Sequence, residues 1–466
     1  MKIELKKIGM LDKAEFEVGN ITLICGENNT GKTYATYSLY GYLDFMRKAG
    51  FFHFRKVFNE FEKIIKIDEP KIVFDLEKFL VIVNKTIQML SEDYLKNLSD
   101  VFAGKEEDFQ TSEFKTDLQA NNKELEKIFT IINQSSFFNF RVEIIEEVSE
   151  KKVVITLVEN FEVEIIERTF IRILQAIYFK KFPNIFILSA ERTGASMFQK
   201  ELDVNKNEIV EKIQKSNGRN IDVYDILLNR ASRYPEPVKD NIYFIRELDE
   251  VVKKTSFIKK EEKKVALYKE ILDLLHCVVG GKYIVTQEGI YFAPEARHRA
   301  TKGKILVQSA SSSVRSLLML NFYLLHQAQR GDILMIDEPE LNLHPKNQIL
   351  LARLFALLAN AGIKIFITTH SDYIVREINN CIMLNNLSDE QIQGLSSKNY
   401  SLHHKLNPDS IRAYLAIKDK KSKENVLQRM SINPKQGIYI DTFDDPIDIQ
   451  NENQGEIFEE VLRNLS

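Results

Sequence analysis

Four short groups of residues in this chain have side chains whose types and order suit work on a phosphate ester. The first is Gly26-Glu27-Asn28-Asn29-Thr30-Gly31-Lys32-Thr33: glycine, four free positions, glycine, lysine and a hydroxyl residue. Gly26 and Gly31 permit backbone angles and close approach that a Cβ would block, so the amides of Asn28, Asn29, Thr30 and their neighbours can turn toward phosphate oxygens. Lys32 suits the β and γ phosphates of ATP, and the Thr33 hydroxyl suits one position on Mg2+. The second group is Asp337-Glu338, two carboxylates at the end of the apolar run Ile333-Leu334-Met335-Ile336. Their jobs separate naturally, with Asp337 holding Mg2+ and Glu338 polarising the water that attacks the γ-phosphate. The third is His370, which closes another apolar run and suits a γ-phosphate sensor that helps hold that water. The fourth is Ser311-Ser312-Ser313. Hydroxyl residues at a helix start cap its amides, and the same geometry can receive a phosphate; both readings stand on local grounds.

Each group needs an element to aim it. Ile21-Thr22-Leu23-Ile24-Cys25 reads as a buried strand feeding the glycine loop, and residues 34–47 as the helix leaving it. Strands at 333–336 and 364–368 flank a helix at 345–360, and residues 315–329 read as an amphipathic helix behind the serines. Two strands are expected at 3–8 and 14–18. Residues 51–135 read as a helical insertion in the early head segment 1–50. In segment 136–199, three antiparallel strands at 141–147, 152–158 and 162–167 and a helix at 169–180 precede a central strand at 185–188. That strand ends in Ser189-Ala190-Glu191-Arg192, a cluster that either faces ligand or forms a structural salt bridge. Residues 200–276 read as a second helical insertion, and 277–466 as the rest of the head, with a hairpin around Gly289.

Bulk properties narrow the class. The 466 residues are 44% hydrophobic and 28% charged, an ordinary composition with room for a substantial core. With 64 Lys and Arg against 67 Asp and Glu, net charge is −3, so any nucleic-acid contact must come from a local patch. Arg297, Arg299, Lys302 and Lys304 form the best such patch in the sequence. Cys25, Cys277 and Cys381 lie far apart in or beside apolar segments and read as buried, reduced thiols rather than metal ligands, which with no signal-like or membrane-spanning run points to a cytoplasmic protein. The acidic stretch Asp441, Asp444, Asp445 and Asp448 around Pro446 reads as a solvated turn, and His403-His404 lacks ligand spacing.

Taken together, these groups resemble the ATP-binding-cassette ATPases, in the branch of SMC-like DNA-repair heads and overcoming-lysogenization-defect nucleases. The resemblance implies an α/β P-loop NTPase head: a mixed sheet with an antiparallel subdomain, carrying helical insertions. It assigns residues 26–33 as Walker A, Ser311, Ser312 and Ser313 as the signature region, Asp337-Glu338 as Walker B, Leu341-Asn342-Leu343-His344-Pro345 as the D-loop, and His370 as the switch histidine. Ser313 stands where relatives usually have glycine, and no Q-loop glutamine is evident. The resemblance also implies a homodimer or higher oligomer, in which the signature of one copy closes over ATP bound by the other.

The chain is too short for SMC coiled-coil arms, and no metal-binding acidic set for a fused nuclease follows His370. Size and motifs therefore resemble the ATPases of bacterial anti-phage systems, the Septu type above all. That resemblance implies slow ATP hydrolysis, no nuclease activity in this chain, and a separate HNH-type nuclease as effector. DNA is a further partner to consider, a membrane is not. A non-hydrolysing ATP-sensing scaffold and a DNA-binding repair ATPase are the rival expectations.

Overall fold

The computed structural model describes residues 1–134, 139–146, 151–157, 163–198, 234–295, 303–439 and 441–465. The chain forms two compact units. The first takes Met1–Gly9, Tyr37–Ile185 and Ser232–Glu236; the second takes Met10–Thr36, Phe186–Ala231 and Pro237–Ser466.

In the first unit, β1 (Lys2–Ile8) pairs antiparallel with β6 (Glu113–Thr116). A four-stranded antiparallel sheet has the order β4-β5-β8-β7, from Lys66–Asp68, Lys71–Asp75, Lys151–Leu157 and Phe140–Glu146. Helices Leu76–Leu95, Asn122–Gln134 and Val163–Lys181 belong to this unit. Its core is aromatic: Phe61 stacks on Phe170 at 4.4 Å between ring centroids, and Phe74 meets Phe61 edge-on at 5.2 Å.

Two expectations change here. Residues 162–167 were expected as a third strand, but a helix starts at Val163. The alternation of Glu162, Val163, Glu164 and Ile165 imitates a strand, whereas burial of Ile166, Phe170, Ile173, Leu174 and Ile177 follows one helical face. The insertion expected to be helical at 51–135 also contains β4, β5 and β6. In β5 only Ile72 and Phe74 are buried, the alternation of a half-covered strand.

The second unit holds the row β2-β16-β15-β3-β14-β13-β9. These strands are Leu11–Glu17, Asn425–Arg429, Ile411–Lys418, Ile21–Gly26, Lys364–Thr369, Ile333–Asp337 and Ile185–Leu188. β3 runs parallel to β14 and β15, and β13 runs parallel to β14. Their carboxyl ends therefore open on one edge, where ligands of parallel α/β sheets bind. Every residue of β3 and β13 is buried, which explains why these strands read as continuous apolar runs. β9, expected as a central strand, is the last of the row.

Helices Lys32–Glu62, Ser312–Phe322, Pro345–Asn360 and Asp372–Met383 follow the functional segments. The hairpin around Gly289 is present as β10 (Gly281–Thr286) and β11 (Gly289–Pro294), with β12 (Ile305–Leu306) beside it. A small pair, β17 (Ile432–Asn433) and β18 (Gly437–Ile438), completes the strands.

The acidic segment read as a turn around Pro446 lies within helix Asp441–Leu465. The 200–276 insertion is helical where it is described, with Glu236–Arg246 and Ala266–Val279 its longest helices. Its residues before 234 lie outside the described residues, as do Arg297, Arg299 and Lys302. Among the described residues no helix is long and apolar enough to cross a membrane.

Candidate active site

The loop after β3 has the strained shape its glycines predict. Gly26 has φ +134° and Gly31 φ +95°, and Asn29 adopts the left-handed region at +62°. At Gly26 the need is also steric, because a Cβ there would lie 2.2 Å from the Ala416 carbonyl oxygen on β15. Thr30 Oγ1 donates to Glu27 O at 2.8 Å, tying the loop to itself. Lys32 is buried, and its Nζ donates to Gly26 O at 3.0 Å and Glu27 O at 2.7 Å. An ammonium has three donors, so one remains for an anion in the loop. Burial lowers the Lys32 pKa, and the carboxylates of Glu338 and Asp337 oppose that shift.

Parallel pairing of β13 and β14 sets Asp337 opposite Thr368. Thr368 Oγ1 donates to Asp337 Oδ1, and Thr33 Oγ1 donates to Asp337 Oδ2 at 3.3 Å. The sequence placed Thr33 and Asp337 on one Mg2+ from opposite ends of the chain, and the fold brings them into contact. Asp337 is 2% exposed, and burial pushes its carboxyl up to about 6; the Thr368 hydroxyl pulls it down and the Glu338 charge adds to the rise. A buried carboxylate in contact with a threonine hydroxyl is an oxygen donor set that fits a hard divalent ion.

Glu338 and His370 also meet, with His370 Nε2 3.3 Å from Glu338 Oε1. The histidine holds the Glu338 carboxyl below its usual range, against the smaller effect of burial, so the glutamate is kept ionised as a base must be. Glu338 has φ +49°, a rare conformation for a residue with a long side chain. Its amide donates to Thr368 O at 3.2 Å and sits 3.1 Å from Thr368 Oγ1.

Two residues whose roles were not expected complete this half. Arg192, 2% exposed, opens the short helix Arg192–Met197 after β9. Its Nη1 donates to Ser189 O at 3.0 Å and Asp337 O at 2.7 Å, and its Nη2 to Glu338 O at 2.8 Å. Of the two readings left open for this cluster, ligand-facing or salt-bridged, these contacts include no salt bridge: the guanidinium grips backbone carbonyls. Glu340 accepts from Thr369 Oγ1 at 2.9 Å and from the His370 amide at 2.6 Å, so it fixes the turn carrying the histidine. Burial raises the Glu340 pKa, and the His370 amide and Thr369 hydroxyl oppose the rise. Beneath the loop, burial and then the Glu340 charge push the Cys25 thiol up to about 12.

Ser311 caps helix Ser312–Phe322: its hydroxyl accepts from the Val314 amide and lies 2.9 Å from Ser313 Oγ. Ser312 and Ser313 occupy the first helical positions. His344 caps the helix that starts at Pro345, its Nδ1 accepting from the Lys346 amide at 3.2 Å. Asn342, at φ +64°, donates from Nδ2 to Thr193 Oγ1 at 3.3 Å. Lys32 and Thr33, at the start of the helix after β3, and Asp337, Glu338 and His370, at or just past the ends of β13 and β14, thus gather on one sheet edge.

A family model described as AAA ATPase domain matches residues 1–375. No curated protein matches. Solved structures that match include the Smc head bound to the C-winged helix domain of ScpA, at 10% identity over 92% of this chain and 98% of that one, with a TM-score of 0.33. The SMC head domain from Thermotoga maritima matches at 10% identity over 92% of this chain and 98% of that one, with a TM-score of 0.29.

Proposed function

Since the chain belongs to the AAA ATPase domain family, we propose that it is an ATP-hydrolysing subunit that dimerises around nucleotide and thereby controls a separate nuclease in defence against phage. The observation that carries this reading is the Glu338–His370 pair set beside the Thr33–Asp337 contact and the buried Lys32. Bound in this site, the triphosphate takes amides of residues 26–33 and the third donor of Lys32. Thr33 and Asp337 would hold Mg2+, which would supply charge neutralisation at the phosphates. Glu338, kept ionised, accepts the proton of the attacking water, and His370 orients that water and contacts the γ-phosphate.

A second copy closes over the phosphates. Ser311, Ser312 and Ser313 of a second copy supply hydroxyls and helix amides there, so ATP becomes an interface ligand and hydrolysis loosens the pair. Ser313 in place of glycine crowds that approach and accounts for slow turnover. The effector is a separate chain, an HNH-type nuclease as in the Septu systems whose ATPase is called PtuA.

Steady-state phosphate release from wild type and Glu338→Gln tests the catalytic part. We expect at least a hundredfold loss of turnover with ATP affinity retained. Equal turnover in the two proteins would sink hydrolysis by Glu338 and leave an ATP-sensing scaffold. Co-purification with the product of an adjacent HNH gene tests the effector.

A further inference from the structure

The least expected contact in the site is the buried guanidinium of Arg192 on the two carbonyls that frame Glu338. We infer that Arg192 is a positioning residue for hydrolysis, holding the Glu338 backbone in its left-handed conformation so that the carboxylate stays beside His370. This rests on the reading of Glu338 as the base.

The geometry is specific. A left-handed, long-chain residue persists only where its surroundings over-determine it. Here the Glu338 amide is held by Thr368 O at 3.2 Å, and its carbonyl by Arg192 Nη2 at 2.8 Å. The same guanidinium takes Asp337 O at 2.7 Å through Nη1, so one planar fork spans the peptide unit between Mg2+ ligand and base. A lysine cannot reproduce that fork, having a single ammonium on a flexible stem. Among the described residues the guanidinium hydrogen-bonds only to carbonyls; burial disfavours its charge, and the nearby Asp337, Glu340 and Glu338 favour it. A buried charge committed to main-chain carbonyls fixes main-chain geometry.

The helix that Arg192 begins reaches the other phosphate-facing segments. Ser196 Oγ, one turn along, donates to Arg192 O at 2.9 Å and approaches Arg315 O at 3.3 Å, in the helix that Ser311 caps. Thr193 accepts from Asn342. The element that sets the base is therefore hydrogen-bonded to the serine helix. A shift of that helix against a nucleotide reaches Glu338 through Arg192 without passing through the bound phosphates.

The test uses the full-length protein and four variants: Arg192→Ala, Arg192→Lys, Arg192→Met and Glu338→Gln. We expect kcat to fall about tenfold to a hundredfold in all three Arg192 variants, as loss of charged hydrogen bonds implies. KM and the dissociation constant for a fluorescent ATP analogue stay within threefold of wild type. Millimolar guanidinium restores turnover to Arg192→Ala, whereas ammonium at equal ionic strength does not. Circular dichroism melting identifies any variant that fails to fold, and Arg192→Lys, which keeps the buried charge, then carries the comparison. A folded Arg192 variant with kcat within twofold of wild type, while Glu338→Gln is inactive, overturns the inference. A kcat loss that guanidinium and ammonium rescue equally, or a matching loss of analogue binding, also overturns it. Wild-type turnover in Glu338→Gln instead removes the underlying reading.

Discussion

At the scale of single residues, the site depends on acids made different by their surroundings. Asp337 is raised by burial, Glu338 is lowered by His370, and Glu340 is buried but spent on hydrogen bonds. Glu340→Gln keeps the size and removes the charge that fixes the His370 amide and the Thr369 hydroxyl. We expect kcat to fall about tenfold, in line with the worth of a charged hydrogen bond, with little change in KM. Phosphate-release kinetics would show it, and an unchanged kcat would mean that the turn does not depend on the Glu340 charge. Gly26→Ala is a different lesion: the added methyl meets the Ala416 carbonyl at 2.2 Å on a backbone with φ +134°. We expect loss of ATP-analogue binding together with a fall in melting temperature.

At the scale of elements, the serine segment separates capping from phosphate contact. Ser311 accepts from the Val314 amide, and a cap of this kind contributes about 1 kcal/mol. Aspartate caps equally well but repels phosphate. Ser311→Asp is therefore expected to keep the melting temperature and lose ATP-driven association, whereas Ser311→Ala lowers the melting temperature. Equal ATP-driven association in wild type and Ser311→Asp would limit the serine to capping. The strands and loops holding Lys32, Asp337 and His370 were legible because each motif is local: an apolar run ending in its own polar residues. The helix Pro345–Asn360 was legible from its proline start and helical spacing. Arg192 and Glu340 were not, because their partners belong to remote segments, the carbonyls of Asp337 and Glu338 for Arg192 and the Thr369 hydroxyl and His370 amide for Glu340, and no spacing in a sequence encodes such contacts. The strand expected at 162–167 failed because a short charged alternation fits two periods until the burial of Phe170 and Ile173 chooses one.

At the scale of the whole molecule, ATP should control assembly. Glu338→Gln with ATP and Mg2+ is expected to sediment as a dimer or larger, and as a smaller species when chelator removes the metal. A species unchanged by nucleotide would argue for assembly through another surface. One thiol offers a view of the same cycle from inside. Cys25 closes the strand beneath the phosphate loop and is buried, Cys381 is buried too, and Cys277 is exposed. An alkylating reagent should therefore mark Cys277 at once and reach Cys25 only when β3 parts from its neighbours. The labelling rate of that one sulfur becomes a clock for opening of the catalytic edge, slowed by every ligand that holds it shut.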